Sequence, residues 1–276
     1  MKTIEGEFTG VGQTHIFHRT WLPEAAPKAV VLLSHGVAEH SGRYGHVAER
    51  LTGAGYAVFA LDHRGHGRSA GQRSLVDRVD HAVKDLNHLY GVARDAHPGV
   101  LVFLIGHSMG GAIAVAYAFK YQDQLAGLVL SAPALVIEGV SPILLRVGTL
   151  LSAIAPGLGL VQLDGRAVSR DPEVVRSYDA DPLNFRGKIP ARTAAELVKL
   201  ARDAPSRLRE LRLPVLVVQG TADRLVPPRA GQLVVDSVAS ADKTLTMYDG
   251  LYHEVFNEPE KEKVLDDVVA WLDRHV

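Results

Sequence analysis

An apolar run, Val100 to Ile105, meets Gly106-His107-Ser108-Met109-Gly110 and passes at once into a small-residue run, Gly111 to Ala118. A buried strand that turns abruptly into a close-packed helix brings two backbones together, and glycine leaves room for that approach. The side chain at the apex of such a turn stands exposed on strained backbone, and here it is the hydroxyl of Ser108. The pattern therefore demands strand, tight turn and helix in succession, and it makes Ser108 a candidate nucleophile. A glycine-rich loop with a serine cap would give the same string, so the reading depends on its surroundings.

Those surroundings alternate between strand-like and helix-like segments. Ile4 to Phe8 and Gln13 to Trp21 read as an antiparallel entry hairpin around Gly10 and Gly12, and Ala29 to Ser34 reads as a strand covered on both faces. A helix is expected over Gly45 to Gly53, a strand over Tyr56 to Leu61, a helix over Val79 to Ala93 and a strand over Leu101 to Ile105. Gly110 to Lys120 reads as a helix and Leu125 to Ser131 as a strand. The rhythm resumes with Val215 to Gln219, Arg229 to Val238, Thr244 to Tyr248 and Glu260 to Val276. Alternation of this kind builds an α/β fold, a mostly parallel sheet flanked by helices. Right-handed crossovers then place the chemistry on loops at the carboxyl ends of the strands.

The stretch from Ala134 to Leu213 breaks the rhythm and carries Pro142, Pro156, Pro172, Pro182, Pro190 and Pro205. It reads as an inserted helical cap, dividing the chain into a first core part at 1–133, the cap at 134–213 and a second core part at 214–276. Ile143, Leu144, Val147, Leu150, Leu151 and Ile154 recur at helical spacing, and Leu145 adds an apolar group off that stripe. Such a helix lines a pocket, touches lipid or is buried against its neighbours; it is too short to span a bilayer and contains Arg146. The cap is thus a candidate for peripheral membrane contact and for a homodimer interface.

Composition narrows the classes. A chain of 276 residues, 47% hydrophobic, can bury one large core. Its formal charge of −1 and lack of a long basic run give no electrostatic footprint for nucleic acid. The absence of cysteine removes disulfides, a thiolate nucleophile and cysteine-ligated metal sites. Met1 to Gly10 lacks the basic start and apolar run of a secretory signal, so a cytoplasmic location is expected.

A serine hydroxyl attacks only as its proton leaves, so a base must lie within hydrogen-bond reach. Of thirteen histidines, His253 stands on a loop just after the last expected strand, whereas His81, His88, His97 and His275 sit in helical or turn contexts. The imidazole needs a carboxylate on its other nitrogen. Asp223, in the loop after the preceding strand, is favoured, with Asp249 and Glu254 as competitors on the histidine's own loop. The order Ser108, Asp223, His253 is the one this architecture uses. The oxyanion requires backbone donors in place beforehand, and the amides of Met109 and Val37 are the candidates. No metal or organic cofactor is expected.

These residues carry a resemblance. The strings His35-Gly36-Val37-Ala38-Glu39-His40-Ser41-Gly42-Arg43-Tyr44, Asp62-His63-Arg64-Gly65-His66-Gly67-Arg68-Ser69, the serine turn, Ala222-Asp223-Arg224-Leu225 and Tyr252-His253-Glu254-Val255-Phe256-Asn257-Glu258 occur in that order. Ser169-Arg170-Asp171-Pro172 and Asp179-Ala180-Asp181-Pro182-Leu183 extend the likeness into the cap. The chain resembles the α/β-hydrolase family and its monoacylglycerol lipase and lysophospholipase branch, in particular the mycobacterial monoacylglycerol lipases. That resemblance implies a serine esterase acting on a small lipid ester, with Glu39 accepting from glycerol hydroxyls and Arg43 holding the loop or donating. Val37 stands where many relatives have a smaller residue. Asp62, Arg64, His66 and Arg68 read as braces beneath the nucleophile. The expected reaction is acyl transfer from a monoacylglycerol to Ser108 and then to water. A lysophospholipase or proline iminopeptidase would keep the same triad, and a non-catalytic receptor would keep the fold. Dehalogenases and epoxide hydrolases carry aspartate where Ser108 stands.

Overall fold

A computed structural model describes residues 1–138 and 142–276, with the side chains of 142–146 outside the description. The strands are β1 (Lys2–Thr9), β2 (His15–Leu22), β3 (Ala29–Ser34), β4 (Tyr56–Leu61), β5 (Leu101–His107), β6 (Gly127–Ser131), β7 (Gly159–Val161), β8 (Ile189–Pro190), β9 (Val215–Gly220) and β10 (Lys243–Tyr248). The helices are α1 (Gly45–Gly53), α2 (Val79–Ala96), α3 (Met109–Tyr121), α4 (Pro142–Ile154), α5 (Pro172–Ala180), α6 (Ala191–Arg207), α7 (Arg229–Ser237) and α8 (Lys261–Asp273).

Eight strands form one sheet in the order β1-β2-β4-β3-β5-β6-β9-β10. The entry hairpin pairs antiparallel, and β4, β3, β5, β6, β9 and β10 run parallel. Strands β3, β4, β6 and β9 are buried along their whole length, which is why they read as unbroken apolar runs. Alternate side chains feed two apolar layers. Val30, Leu32, Leu104 and Val217 pack with α2, α3 and α7, while Val31, Ile105 and Val218 pack with α1 and α8. This is the mostly parallel, helix-flanked sheet expected from the alternation, and the α/β-hydrolase architecture that the resemblance implies.

Between β6 and β9 lie α4, α5 and α6, with β7 and β8 paired as a small antiparallel ribbon that the sequence reading did not foresee. Helix α6 reaches into the sheet's apolar layer. Ala204 near its end and Leu208 and Leu211 just after it join the apolar layer of α2 and α3, anchoring the insertion to the core. On α4, Val147, Leu150 and Ile154 are exposed, whereas Leu151 is half-buried. The expected apolar positions Ile143, Leu144 and Leu145, and Arg146, fall outside the described side chains. Among the described residues no helix is long and apolar enough to cross a membrane.

Candidate active site

Ser108 sits at the junction of β5 and α3 with φ 53° and ψ −117°. An L-residue held there costs about 1–3 kcal/mol. Its backbone is fixed from both sides: the amide donates to Ser131 O at 2.9 Å, and the carbonyl accepts from Ala112 N and Ala134 N, each at 3.0 Å. The flanking glycines are a steric necessity. A Cβ at Gly110 would run into the carbonyl oxygens of Ser34 and His35, and one at Gly106 would meet Gly110 O at 2.5 Å.

Asp223 and His253 come from the loops after β9 and β10. Those loops are laced together by Thr221 N donating to Tyr248 O at 2.9 Å and Ala222 N to Leu251 O at 3.0 Å. One oxygen of Asp223 accepts from the amides of Leu225 (2.9 Å) and Val226 (3.0 Å), and the other accepts from His253 Nδ1 at 2.8 Å. The turn role and the partner role of this aspartate therefore coexist on separate oxygens. With its proton on Nδ1, the ring leaves Nε2 as an acceptor. Burial pulls the His253 pKa down, but the charge and hydrogen bond of Asp223 outweigh it, so the imidazole titrates above its ordinary 6.5. The Asp223 carboxyl, raised by burial but lowered more by His253 and the turn amides, stays below its usual range.

Ser108, His253, Gly36, Val37 and Met109 line one cavity of about 630 Å³. Most of its remaining wall is apolar, including Val136, Leu151, Leu160, Ile189, Leu197 and Val226. Asp249 instead faces Thr221 Oγ1 at 3.2 Å, and Glu254 is engaged by Arg43. The four histidines set aside in favour of His253 have structural duties: His81 bonds Asp77, His88 stacks on Phe8, His97 packs edge-on against Phe59, and His275 bonds Trp271 O and Asp242.

The loop after β3 is held by a buried ion cluster. Glu39 Oε1 accepts from Gly36 N at 2.6 Å and Tyr44 Oη at 2.7 Å, while Oε2 accepts from Arg43 at 2.6 Å. Arg43 also forms a bidentate pair with Glu254 at 2.7 Å and lies over the Tyr178 ring. Burial pushes the Glu39 carboxyl up, but Arg43, His107, His35 and Tyr44 together bring it down to about 2. Arg43 likewise overcomes burial at Glu254, which is also lowered. Glu39 and Glu254 line the cavity; Arg43 stands off its wall. Sequence reasoning weighed Glu254 only as a rival acid and overlooked its pairing with Arg43, although its place beside His253 and the Glu39/Arg43 spacing were the available signals.

His107 was also overlooked: its buried ring packs 4.7 Å from that of His253 and bonds Ser131 Oγ at 3.0 Å. Burial, then the neighbouring His253, lowers it to about 4, so it is neutral at working pH. Beneath the loop, Asp62 accepts from Ser41 and Arg68 backbone, and Arg64 clamps Asp77 and Asp85, as the bracing role requires. The segment between β6 and β9 bonds to loops that precede and follow it in the chain. Ala38 O accepts from Phe185 N at 2.8 Å and Tyr178 Oη at 3.2 Å, and Glu254 N donates to Val168 O at 2.8 Å.

The family model described as serine aminopeptidase, S33 matches residues 25–260. The chain is 48% identical over 273 residues to the monoacylglycerol lipase of Mycolicibacterium smegmatis, covering 99% of this chain and 98% of that one. It is 37% identical over 263 residues to human monoglyceride lipase, covering 94% and 86% respectively. The crystal structure of the Paleococcus ferrophilus monoacylglycerol lipase superposes with a TM-score of 0.85 at 32% identity, covering 100% of both chains. On fold, site and likeness together, the chain belongs to the serine aminopeptidase S33 family of α/β-hydrolases.

Proposed function

We propose that the protein hydrolyses monoacylglycerols to glycerol and fatty acid through an acyl-enzyme on Ser108. His253, oriented by Asp223, takes the serine proton as the hydroxyl oxygen attacks the ester carbonyl. The amides of Val37 and Met109 hold the developing oxyanion, and the proton passes to the departing glycerol oxygen. Water, activated by the same imidazole, then attacks the acyl-enzyme and the fatty acid leaves. The observation that carries the reading is that His253, held by Asp223 at 2.8 Å, and the strained Ser108 line one largely apolar cavity under residues 134–213, which we take as the cap.

The apolar wall suits one acyl chain, and the polar end at Gly36, Glu39 and Glu254 suits a small hydroxylated head group. Glu39 keeps acceptor capacity on Oε2 beyond its bond from Arg43, so it can take a glycerol hydroxyl while Arg43 holds it from behind. We assign the exposed Val147, Leu150, Ile154 and Leu158 to transient contact with the lipid surface that holds the substrate. Burial of that face in a homodimer is the alternative, which light scattering distinguishes. The substrate test compares kcat/KM on long-chain monoacylglycerol, lysophospholipid, triacylglycerol, short esters and amino-terminal proline amides. Monoacylglycerol is expected to lead, and equal or better turnover of any other class contradicts the assignment.

A further inference from the structure

Two ionised carboxylates face the head-group end of the cavity, and the single guanidinium they share cannot neutralise both. Glu39 and Glu254 are each bonded to Arg43, with side chains only 3% and 6% exposed, and both contribute to the cavity wall. Asp223, fully enclosed behind His253, adds another negative charge at the same end. Most surrounding wall is apolar, and its other charged members, Glu138, Asp179 and Arg186, are exposed and sum to one further negative charge, so the negative sign at this end stands. We infer that Glu39 and Glu254 act as an anion filter, admitting esters with an uncharged alcohol portion and rejecting those whose alcohol carries a phosphate or carboxylate.

This rests on the monoacylglycerol reading for the side on which the alcohol lies. A phosphate one glycerol unit from the scissile ester would stand close to both carboxylates, and like-charge opposition is how a site excludes a near-isosteric competitor. One uncompensated charge at about 6 Å, at an effective dielectric of about 20, corresponds to a factor on the order of 100 in kcat/KM. Neither carboxylate can escape by taking a proton at neutral pH, because Arg43 holds both in the ionised form.

The test compares matched substrates in the wild type, Glu254→Gln and Glu254→Asp. One pair is a short-chain monoacylglycerol and the lysophosphatidic acid with the same acyl group. The other is 3-carbamoylphenyl butyrate and 3-carboxyphenyl butyrate, which differ only in charge. The wild type is expected to favour the neutral member of each pair by about 100-fold, and Glu254→Gln, which leaves Glu39 and Arg43 as a balanced pair, to bring that ratio to within about tenfold of unity. Glu254→Asp, which keeps the charge, retains the wild-type ratio whatever its overall rate. Equal rates on both members in the wild type, or equal shifts of the ratio in the two variants, overturn the inference. If monoacylglycerol is not hydrolysed the substrate assignment fails, while the aryl ester pair still decides the filter.

Discussion

Replacing Asp223 by Asn removes a charge while leaving the fold in place. The remaining amide oxygen can still accept from Leu225 and Val226, so the turn survives. What disappears is the negative charge 2.8 Å from His253 Nδ1. With charge centres about 4 Å apart and an effective dielectric of about 20, that charge stabilises the imidazolium by about 4 kcal/mol. This is about three decades in rate, and an amide that imposes the wrong tautomer adds to it, so kcat/KM falls by about 1,000- to 10,000-fold.

The pH profile of this variant moves in a defined direction. Only neutral imidazole accepts the serine proton, so wild-type kcat/KM rises with pH through the His253 pKa, which lies above 6.5. Without the aspartate, burial meets weaker opposition and the inflection moves to lower pH. Stability runs the other way: a raised histidine pKa contributes stability below the ordinary 6.5 and loses it as pH rises through the folded value. The assay is steady-state kcat/KM on a soluble monoacylglycerol from about pH 5 to about pH 9, with thermal melting to verify folding. A folded variant within about tenfold of wild type, or an unmoved inflection, refutes the reasoning.

Three further outcomes are expected. Gly110→Ala drives a methyl group into the Ser34 and His35 carbonyls, so it should destabilise the protein by about 3 kcal/mol or more and abolish turnover, read by urea unfolding and esterase assay. Glu39 contributes stability above its ordinary pKa of 4.5 that is lost as pH falls towards about 2, so the wild-type urea midpoint should drop more steeply over that range than that of Glu39→Gln. Val37→Ala leaves the backbone donor in place, and kcat should stay within about threefold of wild type in initial-rate measurements.

The strands and the serine turn were legible because burial writes itself locally. A strand covered on both faces, such as Ala29–Ser34 or Tyr56–Leu61, must be apolar throughout, and its bounds agree with the apolar run. Edges were harder. β1 begins at Lys2 because an exposed edge strand tolerates charge, and β2 begins at His15 because Gly12 and Gln13 take positive φ in the preceding turn. The last helix stops at Asp273, where Arg274 and His275 close it through bonds to Trp271 and Leu272 carbonyls. The ribbon of β7 and β8 is too short for any periodicity to register. The cluster of Glu39, Arg43 and Glu254 joins positions 211 residues apart and became visible only once the fold had brought the loops together.

The most direct measurement follows the rate and location of modification by a fluorophosphonate, which phosphonylates a serine only when a base takes its proton and donors hold the oxyanion. Mass spectrometry of the wild type is predicted to find one adduct, on Ser108; Ser108→Ala should remain unmodified, and His253→Ala should react more slowly by at least about 1,000-fold. An adduct on another residue, or a rate in folded His253→Ala equal to that of the wild type, would contradict a single catalytic unit built from Ser108, His253 and Asp223.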